Sequence, residues 1–332
     1  MNDERELLLS LIRGPASGDQ LARAGGQTRA AIWKRIRALR DAGVPIEARA
    51  GQGYRLAGPL DLLDAAAIRA CMDDRGRDTR VDVEVLWTVD STNSELLRRP
   101  APAHGTTRVL LAERQTGGRG RRGRPWASPL AAHLYMSLVR GFDGGLARLG
   151  GLSLVTGIAV VEALHVLGVG QAGLKWPNDV VVESGGVLHK LGGLLVEGGG
   201  EHAGPVRAVV GLGLNVRMPA VQGAELDQPW TDLASLLGAG VDRNRVAAVV
   251  LDHVLPALAQ FDADGLAPFL QRYAALDVLA GRDVMLHDAQ GGCREAQVQG
   301  LAADGALRVR LGDGRSEDLY SGEVSVRRRT MA

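Results

Sequence analysis

The sequence predicts an α+β protein in which a small helical domain and a small all-β domain flank a larger domain of mixed strands and helices. Three observations support this prediction. Three short helical patterns and a hairpin pattern fall within residues 1–60, longer strand and helix patterns fill 61–275, and short glycine-punctuated strands recur in 276–332. A chain of 332 residues is also long for a single domain. We therefore expect three domains with these boundaries.

The composition narrows the functional classes. Hydrophobic residues make up 45% of the chain but aromatic residues only 4%, which predicts aliphatic cores. The formal net charge of +1 favours neither nucleic acid nor membrane overall, yet residues 1–60 carry +4, which hints at an anionic partner there. Cys71 and Cys293 lie far apart, so we expect reduced thiols. With no signal peptide or spanning segment, we expect a cytoplasmic protein that does not contact membranes.

The first domain shows helical patterns at 4–13 and 19–24 and a third that Thr28 caps and that runs to about Asp41. In the third helix an apolar stripe recurs at helical spacing, formed by Ile32, Ile36 and Leu39. A β-hairpin pattern with a glycine turn follows at 46–56.

Three helices followed by a hairpin form the winged helix-turn-helix pattern, in which the third helix enters the major groove. The alternative is a small helical domain for protein contacts. The basic exposed face of the third helix favours DNA, and the candidate DNA-binding residues are Thr28, Arg29, Trp33, Lys34 and Arg37.

The central domain alternates strands with helices. Strands are predicted at 83–89, 108–113, 133–139, 180–182, 191–197 and 206–216. Helices are predicted at 62–72, 152–167, 266–273 and 243–261, the last kinked at Pro256. Thr92 and Glu95 form a capping-box pattern after the first strand, so we expect a helix to begin there. That cap alone could explain the local polarity, although a polar strand-to-helix turn also suits a small polar ligand.

The segment 117–124, here named the Gly-Arg loop, contains four glycines and four arginines in eight residues. Such a composition opposes both helix and central strand, because glycine raises the entropy cost of ordering the backbone. A mobile loop of this kind can place several guanidinium groups around a phosphate-rich ligand. The alternatives are a solvated basic loop or an RNA-binding segment.

The last domain has strand patterns at 283–286, 294–298, 307–311, 317–320 and 323–326, separated by glycines. This spacing predicts a small, SH3-like β-barrel.

Five motifs, taken in order, resemble those of bacterial biotin protein ligases. They are Ser91-Thr92-Asn93, Gln115 with Gly118-Arg119-Gly120-Arg121-Arg122-Gly123-Arg124, Lys175-Trp176-Pro177-Asn178-Asp179, Lys190-Leu191-Gly192-Gly193, and Gly211-Leu212-Gly213-Leu214-Asn215. Together with the winged helix, they resemble the bifunctional form, the biotin operon repressor. The resemblance covers about residues 4–327, and five motifs in order are far more specific than any one of them.

The resemblance implies a central domain of the biotin/lipoate-ligase fold and a reaction in two steps. Biotin and ATP, with Mg²⁺, form biotinyl-5'-AMP and pyrophosphate. The biotin then passes to a lysine of the biotin carboxyl carrier protein of acetyl-CoA carboxylase. No tightly bound prosthetic group is implied. The sequence does not assign the metal ligands, although Asp179 is the nearest motif carboxylate.

The resemblance also assigns roles to residues. The expected catalytic cations are Arg121, Arg124 and Lys190. The expected biotin-binding residues are Ser91, Thr92, Asn93, Gln115, Gly118, Arg119, Gly120, Arg121, Lys190, Gly193, Gly211 and Gly213. The expected nucleotide-binding residues are Arg121, Arg124, Trp126, Asn178, Asp179, Lys190, Asn215 and Trp230, although both tryptophans could instead be core residues. Arg121→Gly is expected to loosen the loop and release the adenylate.

The N-terminal match implies that the adenylate-bound protein forms a homodimer through its central sheet, binds operator DNA and represses biotin synthesis genes. Trp33 departs from the family pattern, which commonly has a polar residue on this face of the recognition helix, and the operator sequence is therefore open. Gly117 and Pro125 are minor departures that remove no charge.

Two other functions compete with the ligase interpretation. A pure transcription factor could sense biotin with its central domain, but sensing one carboxylate does not need so many cations. A lipoate or octanoyl transferase has a related fold but lacks the Gly-Arg loop together with Lys-Trp-Pro-Asn-Asp. Thiol-dependent transfer would also need a placed cysteine, and neither Cys71 nor Cys293 adjoins a motif.

Overall fold

The computed structural model describes residues 3–49, 51–73, 80–103, 105–142, 145–200, 206–238, 240–288, 292–320 and 324–328. These residues form a two-stranded, a seven-stranded and a five-stranded sheet, in chain order of the three predicted domains. The sequence also predicts that residues 73–76 break the first helix of the central domain, and residues 74–76 of that break lie outside the described residues.

The N-terminal domain contains helices α1 (Asp3–Arg13), α2 (Gly18–Ala24) and α3 (Arg29–Asp41), followed by strands β1 (Ile46–Arg49) and β2 (Gly53–Leu56). The Thr28 side chain accepts from the Ala31 N–H at 3.2 Å, which confirms the predicted cap. The predicted stripe on α3 is buried, so that this helix packs on the other two.

The central domain begins with α4 (Ala65–Cys71), β3 (Val81–Val89), α5 (Thr92–Arg98), β4 (Thr107–Gln115) and β5 (Leu134–Phe142). It continues with α6 (Leu152–Val166), β6 (Ala172–Lys175), β7 (Asp179–Ser184), β8 (Val187–Gly200) and β9 (Val206–Leu214). The last helices are α7 (Ala220–Ala224), α8 (Leu233–Leu237), α9 (Arg243–Asp264) and α10 (Leu270–Leu276).

The strand order of the central sheet is β3-β4-β5-β9-β8-β7-β6, with β3 and β4 parallel and the other pairs antiparallel. Helix α5 covers one face, where Leu96 packs with Leu110, Val139 and Val209. Helices α6 and α9 belong to the large aliphatic core on the other face. This arrangement confirms the predicted mixed-sheet α+β domain.

The C-terminal domain is a five-stranded antiparallel sheet of β10 (Asp283–Asp288), β11 (Cys293–Leu301), β12 (Leu307–Leu311), β13 (Ser316–Leu319) and β14 (Val324–Arg328). All five strands overlap the predicted ones, which confirms a small β domain. It is attached to the central domain by a hydrogen bond from the Trp176 indole N–H to the Gly305 carbonyl, at 3.2 Å.

One local prediction needs correction, and one strand was missed. The helix cap after β3 is Ser91, whose hydroxyl accepts from the Ser94 N–H at 3.4 Å, so Thr92 is already the first helical residue. Helix α9 contains Pro256 within one continuous helix, and the kink there stays a prediction. Strand β6 was not predicted, because its four residues are too few to show a period.

Helix α9 is the one described helix that is long and apolar enough to cross a membrane, judged by length and composition. However, 56% of its most apolar window is buried inside the protein. This is the expected state of a core helix, so its composition is weak evidence for a membrane span.

Candidate functional site

A cleft of about 870 Å³ opens where several polar chain segments converge on the central sheet. Its walls include the start of α5, the Gly-Arg loop, the segment 175–179 and the loop 225–229, and its floor includes β8 and β9. The tertiary fold therefore brings together residues from all five motifs identified in the sequence.

One end of the cleft has a neutral hydrogen-bonding group. The Gln115 carbonyl accepts from the Thr92 N–H at 2.9 Å and from the Thr92 hydroxyl at 3.2 Å. The Gln115 amide donates to the Ser128 hydroxyl at 3.3 Å, and the hydroxyl oxygens of Ser137 and Thr92 lie 2.7 Å apart. These side chains hold one another in orientations that suit a small ring with several donors and acceptors.

Asn93 serves as an internal brace next to that end. Its carbonyl oxygen accepts from the Ser137 hydroxyl at 2.6 Å, and its amide donates to the Leu195 carbonyl and to Glu197. A Cβ at Gly211 would lie 2.3 Å from the Asn93 Oδ1, so only glycine allows this approach. The Asn93 amide is therefore engaged by the protein on both sides.

The Gly-Arg loop folds back on itself through a short 3-10 turn at Arg121–Gly123. Arg122 has a left-handed backbone with φ of 57°. The Gly120 N–H donates to the Arg124 carbonyl at 2.8 Å, and the Trp126 N–H donates to the Gly118 carbonyl at 2.9 Å. The loop therefore starts and ends at one place, beside Gln115.

The Trp126 ring lies over the glycine-rich floor of the cleft. A Cβ on Gly213 would come within 2.4 Å of the ring, and one on Gly193 within 3.4 Å. The Lys190 ammonium stands 5.5 Å from the ring centroid, a distance suited to a cation–π contact. The close approach of this aromatic ring therefore requires glycine at position 213.

The other end of the cleft is cationic. The Lys190 ammonium pairs with the Asp179 carboxylate at 2.7 Å, and the Arg121 guanidinium donates to the Asn178 carbonyl oxygen at 3.2 Å. Burial lowers the pKa of Arg121, and repulsion from Arg122 adds to the effect. Arg124 is exposed at the rim. This end is suited to anions, since anionic groups of a ligand can accept hydrogen bonds from Lys190 and Arg121 in place of Asp179 and Asn178 or together with them.

Two of the expected nucleotide-binding residues brace the cleft wall. The Asn215 amide donates to the carbonyls of Thr231 and Lys190, at 3.1 and 3.3 Å. The Trp230 indole N–H donates to the Gly223 carbonyl at 2.8 Å. The Asn215 contacts tie the end of β9 to β8 and to Thr231, and the Trp230 contact ties Trp230 to α7, so the Asn215 amide faces the backbone.

Four residues near the site were missed from the sequence: Ser94, Ser128, Ser137 and Glu197. Glu197 accepts from the guanidinium of Arg119 at 3.0 Å, and Ser94 accepts from the same guanidinium at 2.5 Å. Glu197 follows the Lys190 motif by a few residues on β8, but nothing in that pattern shows which side chain it meets. The long sequence separation between these partners explains the omission.

The candidate DNA-binding residues share one exposed surface. Thr28, Arg29, Trp33, Lys34 and Arg37 are all exposed, and 54% of Trp33 is accessible. The Arg37 guanidinium carbon lies 5.9 Å from the centroid of the Trp33 ring. The Trp33 ring therefore lies on the same exposed face of α3 as the basic side chains and contacts one of them, Arg37.

Metal-binding clusters of three or more His, Cys, Asp or Glu are absent from the part of the chain that the structure describes. Within the cleft, Asp179 is paired with Lys190. Mg²⁺ is commonly held by phosphate oxygens, water and one or two carboxylates, and the cleft carboxylates of Asp179, Glu225 and Asp227 fit that mode.

Comparison with known families agrees with this architecture. Residues 85–215 match the biotin/lipoate A/B protein ligase family, residues 5–55 match an HTH domain, and residues 286–327 match the biotin protein ligase C-terminal domain. The fold and the site therefore define a protein ligase of the biotin/lipoate class that carries a helix-turn-helix domain.

Individual relatives narrow the class. The chain is 38% identical to the bifunctional ligase/repressor BirA of Escherichia coli over 313 residues, which is 94% of this chain and 92% of that protein. It is 37% identical over 204 residues to the biotin–[acetyl-CoA-carboxylase] ligase of Mycobacterium tuberculosis, covering 60% of this chain and 72% of that one. The chain belongs to the family of bifunctional biotin ligase/repressor proteins.

A solved structure extends the likeness to three dimensions. Biotin protein ligase from Aquifex aeolicus, in complex with biotin and ATP, aligns with a TM-score of 0.62 and 29% identity. The alignment covers 75% of this chain and 99% of that chain.

Proposed function

We propose that this protein is an ATP-dependent biotin protein ligase whose adenylate-bound form also represses biotin synthesis genes. One observation carries the proposal. A single cleft has the neutral Thr92–Gln115 group at one end and the cationic Lys190 and Arg121 at the other. The ureido ring of biotin needs neutral hydrogen-bonding groups. Its carboxylate and the triphosphate of ATP need cations, so a cleft with one neutral and one cationic end suits the pair.

In the first step, a biotin carboxylate oxygen bonds to the α-phosphorus of ATP while the bond from that phosphorus to the β-phosphate bridging oxygen breaks. Pyrophosphate leaves and biotinyl-5'-AMP remains. Negative charge is concentrated in the transition state, so positive groups already in place lower the barrier. We assign that role to Lys190, Arg121 and Arg124, with any Mg²⁺ carried by the phosphates.

In the second step, the neutral amine of a carrier lysine attacks the carbonyl carbon of biotinyl-5'-AMP. The new C–N bond forms as the C–O bond to AMP breaks, and the amine loses a proton. The mixed anhydride is already activated, so no nucleophile of the enzyme is needed. The carrier that we propose is the biotin carboxyl carrier protein of acetyl-CoA carboxylase. This reaction fits a cytoplasmic protein.

Regulation belongs to the same proposal. The exposed face of α3 supports binding to operator DNA. Strand β8 pairs with β7 only through residue 193, while its pairing with β9 continues to residue 200. A strand segment with an open side can pair with a second copy, which supports a homodimer formed through the central sheet.

The first test is exchange of labelled pyrophosphate into ATP in the presence of Mg²⁺. We expect exchange that requires biotin and is not supported by lipoate or octanoate. Lys190→Met should lower the exchange rate by at least about tenfold, since one charge-assisted contact of the transition state is lost. A matched control is Lys34→Met, which changes a lysine of the N-terminal domain far from the cleft.

Calorimetric titration with biotin separates the alternatives. Bound biotin without pyrophosphate exchange would contradict the ligase and leave a biotin-sensing regulator. If the protein neither binds biotin nor exchanges pyrophosphate, both the ligase and the biotin-sensing regulator are contradicted.

A further inference from the structure

Glu197 on β8 joins two parts of the cleft that are distant in the sequence. Its Oε2 accepts from the Asn93 amide at 2.8 Å and from the Arg119 guanidinium at 3.2 Å, and its Oε1 accepts from the same guanidinium at 3.0 Å. About 28% of the Glu197 side chain and 32% of the Arg119 side chain are exposed. Both carboxylate oxygens are thus engaged: the Gly-Arg loop contacts both of them, and the start of α5 contacts Oε2.

Arg119 contacts both Glu197 on β8 and Ser94 on α5. Its second terminal nitrogen donates to the Ser94 hydroxyl at 2.5 Å, so the guanidinium bridges α5 and β8. Arg119 directly follows Gly118, whose carbonyl accepts from the Trp126 N–H. The base of the loop is therefore fastened at two adjacent residues, whereas Arg124 at its far end is exposed.

We propose that Glu197 is a positioning residue for biotin: through Arg119 and Asn93 it holds the base of the Gly-Arg loop against the start of α5. Thr92 and the Gly118–Arg119 backbone are then held at the spacing at which both can hydrogen-bond to one ureido ring. Arg119 accordingly acts through its pairing with Glu197 and Ser94, while Lys190, Arg121 and Arg124 serve the phosphates. This inference rests on the proposed function.

The chemistry of the contact makes Glu197→Gln informative. The carboxylate accepts from the Asn93 amide on one oxygen and from the Arg119 guanidinium on both, so the guanidinium needs the full carboxylate. A glutamine of the same size has one acceptor oxygen, and its amide would turn N–H groups toward the remaining donor. Asn93 keeps its hydrogen bond to the Leu195 carbonyl, so the main loss falls on Arg119 and the loop.

The first measurement separates the two substrates. For Glu197→Gln we expect the KM for biotin to rise by about tenfold, the effect of losing a charge-assisted hydrogen bond. The KM for ATP should stay within about twofold of wild type, because the phosphate end is unchanged. The control is Glu162→Gln, which breaks a similarly exposed ion pair with Arg272, 35% and 32% exposed, on the helical side of the domain.

A second measurement needs no substrate. Trypsin can cut after the arginines of the Gly-Arg loop, so the cleavage rate in ligand-free protein reports how firmly the loop base is held. We expect faster cleavage within the loop in Glu197→Gln than in wild type or Glu162→Gln, with the thermal unfolding midpoints of the two variants alike.

The outcomes are distinct. A wild-type KM for biotin together with wild-type cleavage would overturn the proposal. Equal rises in both KM values with a lower unfolding midpoint would also overturn it, because that pattern marks a general stability effect. If the wild type binds no biotin at all, the proposed function fails, while the cleavage comparison still decides whether Glu197 anchors the loop.

Discussion

Arg121 and Arg122 are neighbours in the Gly-Arg loop, but their surroundings differ. The Arg121 guanidinium turns into the cleft, where it donates to Asn178 and where burial lowers its pKa. Arg122 is exposed and has the left-handed backbone that favours glycine. The same substitution at the two positions should therefore have different consequences.

We predict that Arg121→Gly releases the adenylate, because the side chain that links the loop to segment 175–179 is lost. Rapid gel filtration after incubation with biotin and labelled ATP should recover several-fold less bound intermediate than wild type, roughly the effect of one charged hydrogen bond. Released adenylate should then label exposed lysines of bystander proteins. Arg122→Gly is the control, and equal retention by Arg121→Gly and wild type would show that the assigned role is wrong.

His133 is a buried base that does not face the cleft. Burial, with a smaller contribution from Arg243, lowers its pKa to about 3. Its Nδ1 accepts from the Val216 N–H at 3.1 Å, which requires the neutral ring. In the unfolded chain a histidine takes up a proton below about pH 6.5.

We predict that the free energy of unfolding falls as the pH drops from about 6.5 toward 3, because only the unfolded chain binds the His133 proton there. The slope from this residue approaches about 1.4 kcal/mol per pH unit. His133→Asn keeps an acceptor for Val216 and should flatten the slope, measured by urea titrations at several pH values. The control is His189→Asn, and a wild-type slope in His133→Asn would contradict the prediction.

At the scale of single strands, β9 shows why glycine is required at one position of the cleft floor. Gly213 lies under the Trp126 ring, with the ring 2.4 Å from where a Cβ would stand. Among the residues that the structure describes, no atom lies within 4 Å of the position that a Cβ would take on Gly141 of the neighbouring β5.

We predict that Gly213→Ala displaces the Trp126 ring and raises the KM for biotin by about tenfold or more, because overpacking of this kind costs about 1–3 kcal/mol. The shift should also appear in tryptophan fluorescence. Gly141→Ala should change neither, and equal effects of the two substitutions would contradict the steric explanation.

The end of β4 and the start of α9 share a buried ion pair. Arg243 is fully buried, and its guanidinium donates to Glu113, itself 2% exposed, at 2.8 Å. Arg243 also donates to the carbonyls of His133 and Asp61. The pair therefore connects α9 and the sheet with the segment that enters the central domain.

We predict that Glu113→Gln destabilises the protein by about 3–5 kcal/mol, because the buried Arg243 loses its buried charged partner and keeps only the more exposed Asp61 carboxylate, 3.4 Å away. Urea denaturation measures the loss. Glu317→Gln breaks the exposed pair with Arg294 and should cost about 0–1 kcal/mol. Similar losses in the two variants would show that burial does not govern the effect.

At the scale of the whole molecule, the catalytic and helix-turn-helix domains share a core. Leu130 and Ala131, which follow the Gly-Arg loop, are buried among the apolar residues of α1, α2 and α3. The Leu130 N–H donates to the Ala42 carbonyl at 2.8 Å, and the Trp87 indole donates to Glu4 at 3.0 Å. The segment after the Gly-Arg loop thus completes the core of the N-terminal domain.

We predict that Leu130→Ala lowers the free energy of unfolding by about 2–5 kcal/mol, since it leaves a cavity in this shared core. Trypsin should also release the N-terminal domain faster than in wild type. Val166→Ala, at a side chain that is 66% exposed, should change stability by less than about 0.5 kcal/mol. An equally small effect at Leu130 would mean that the two domains fold without this contact.

Sequence alone determined the elements that depend on neighbouring residues. The Thr28 cap, the buried stripe of α3 and the strands of the C-terminal domain follow from local periods and capping chemistry, which act over a few residues. The order of motifs also indicated the family and the cleft residues. The Ser91 cap was misread by one residue because two adjacent hydroxyls fit the same pattern.

Only the tertiary structure decided contacts between distant segments. It placed Glu197 against Arg119, Trp126 over Gly213, and Leu130 in the core of the N-terminal domain. The physical reason is that strand order and register set which side chains meet, and these are fixed by packing of the whole sheet and its helices. A local pattern predicts that a residue is polar, but the partner depends on the entire fold.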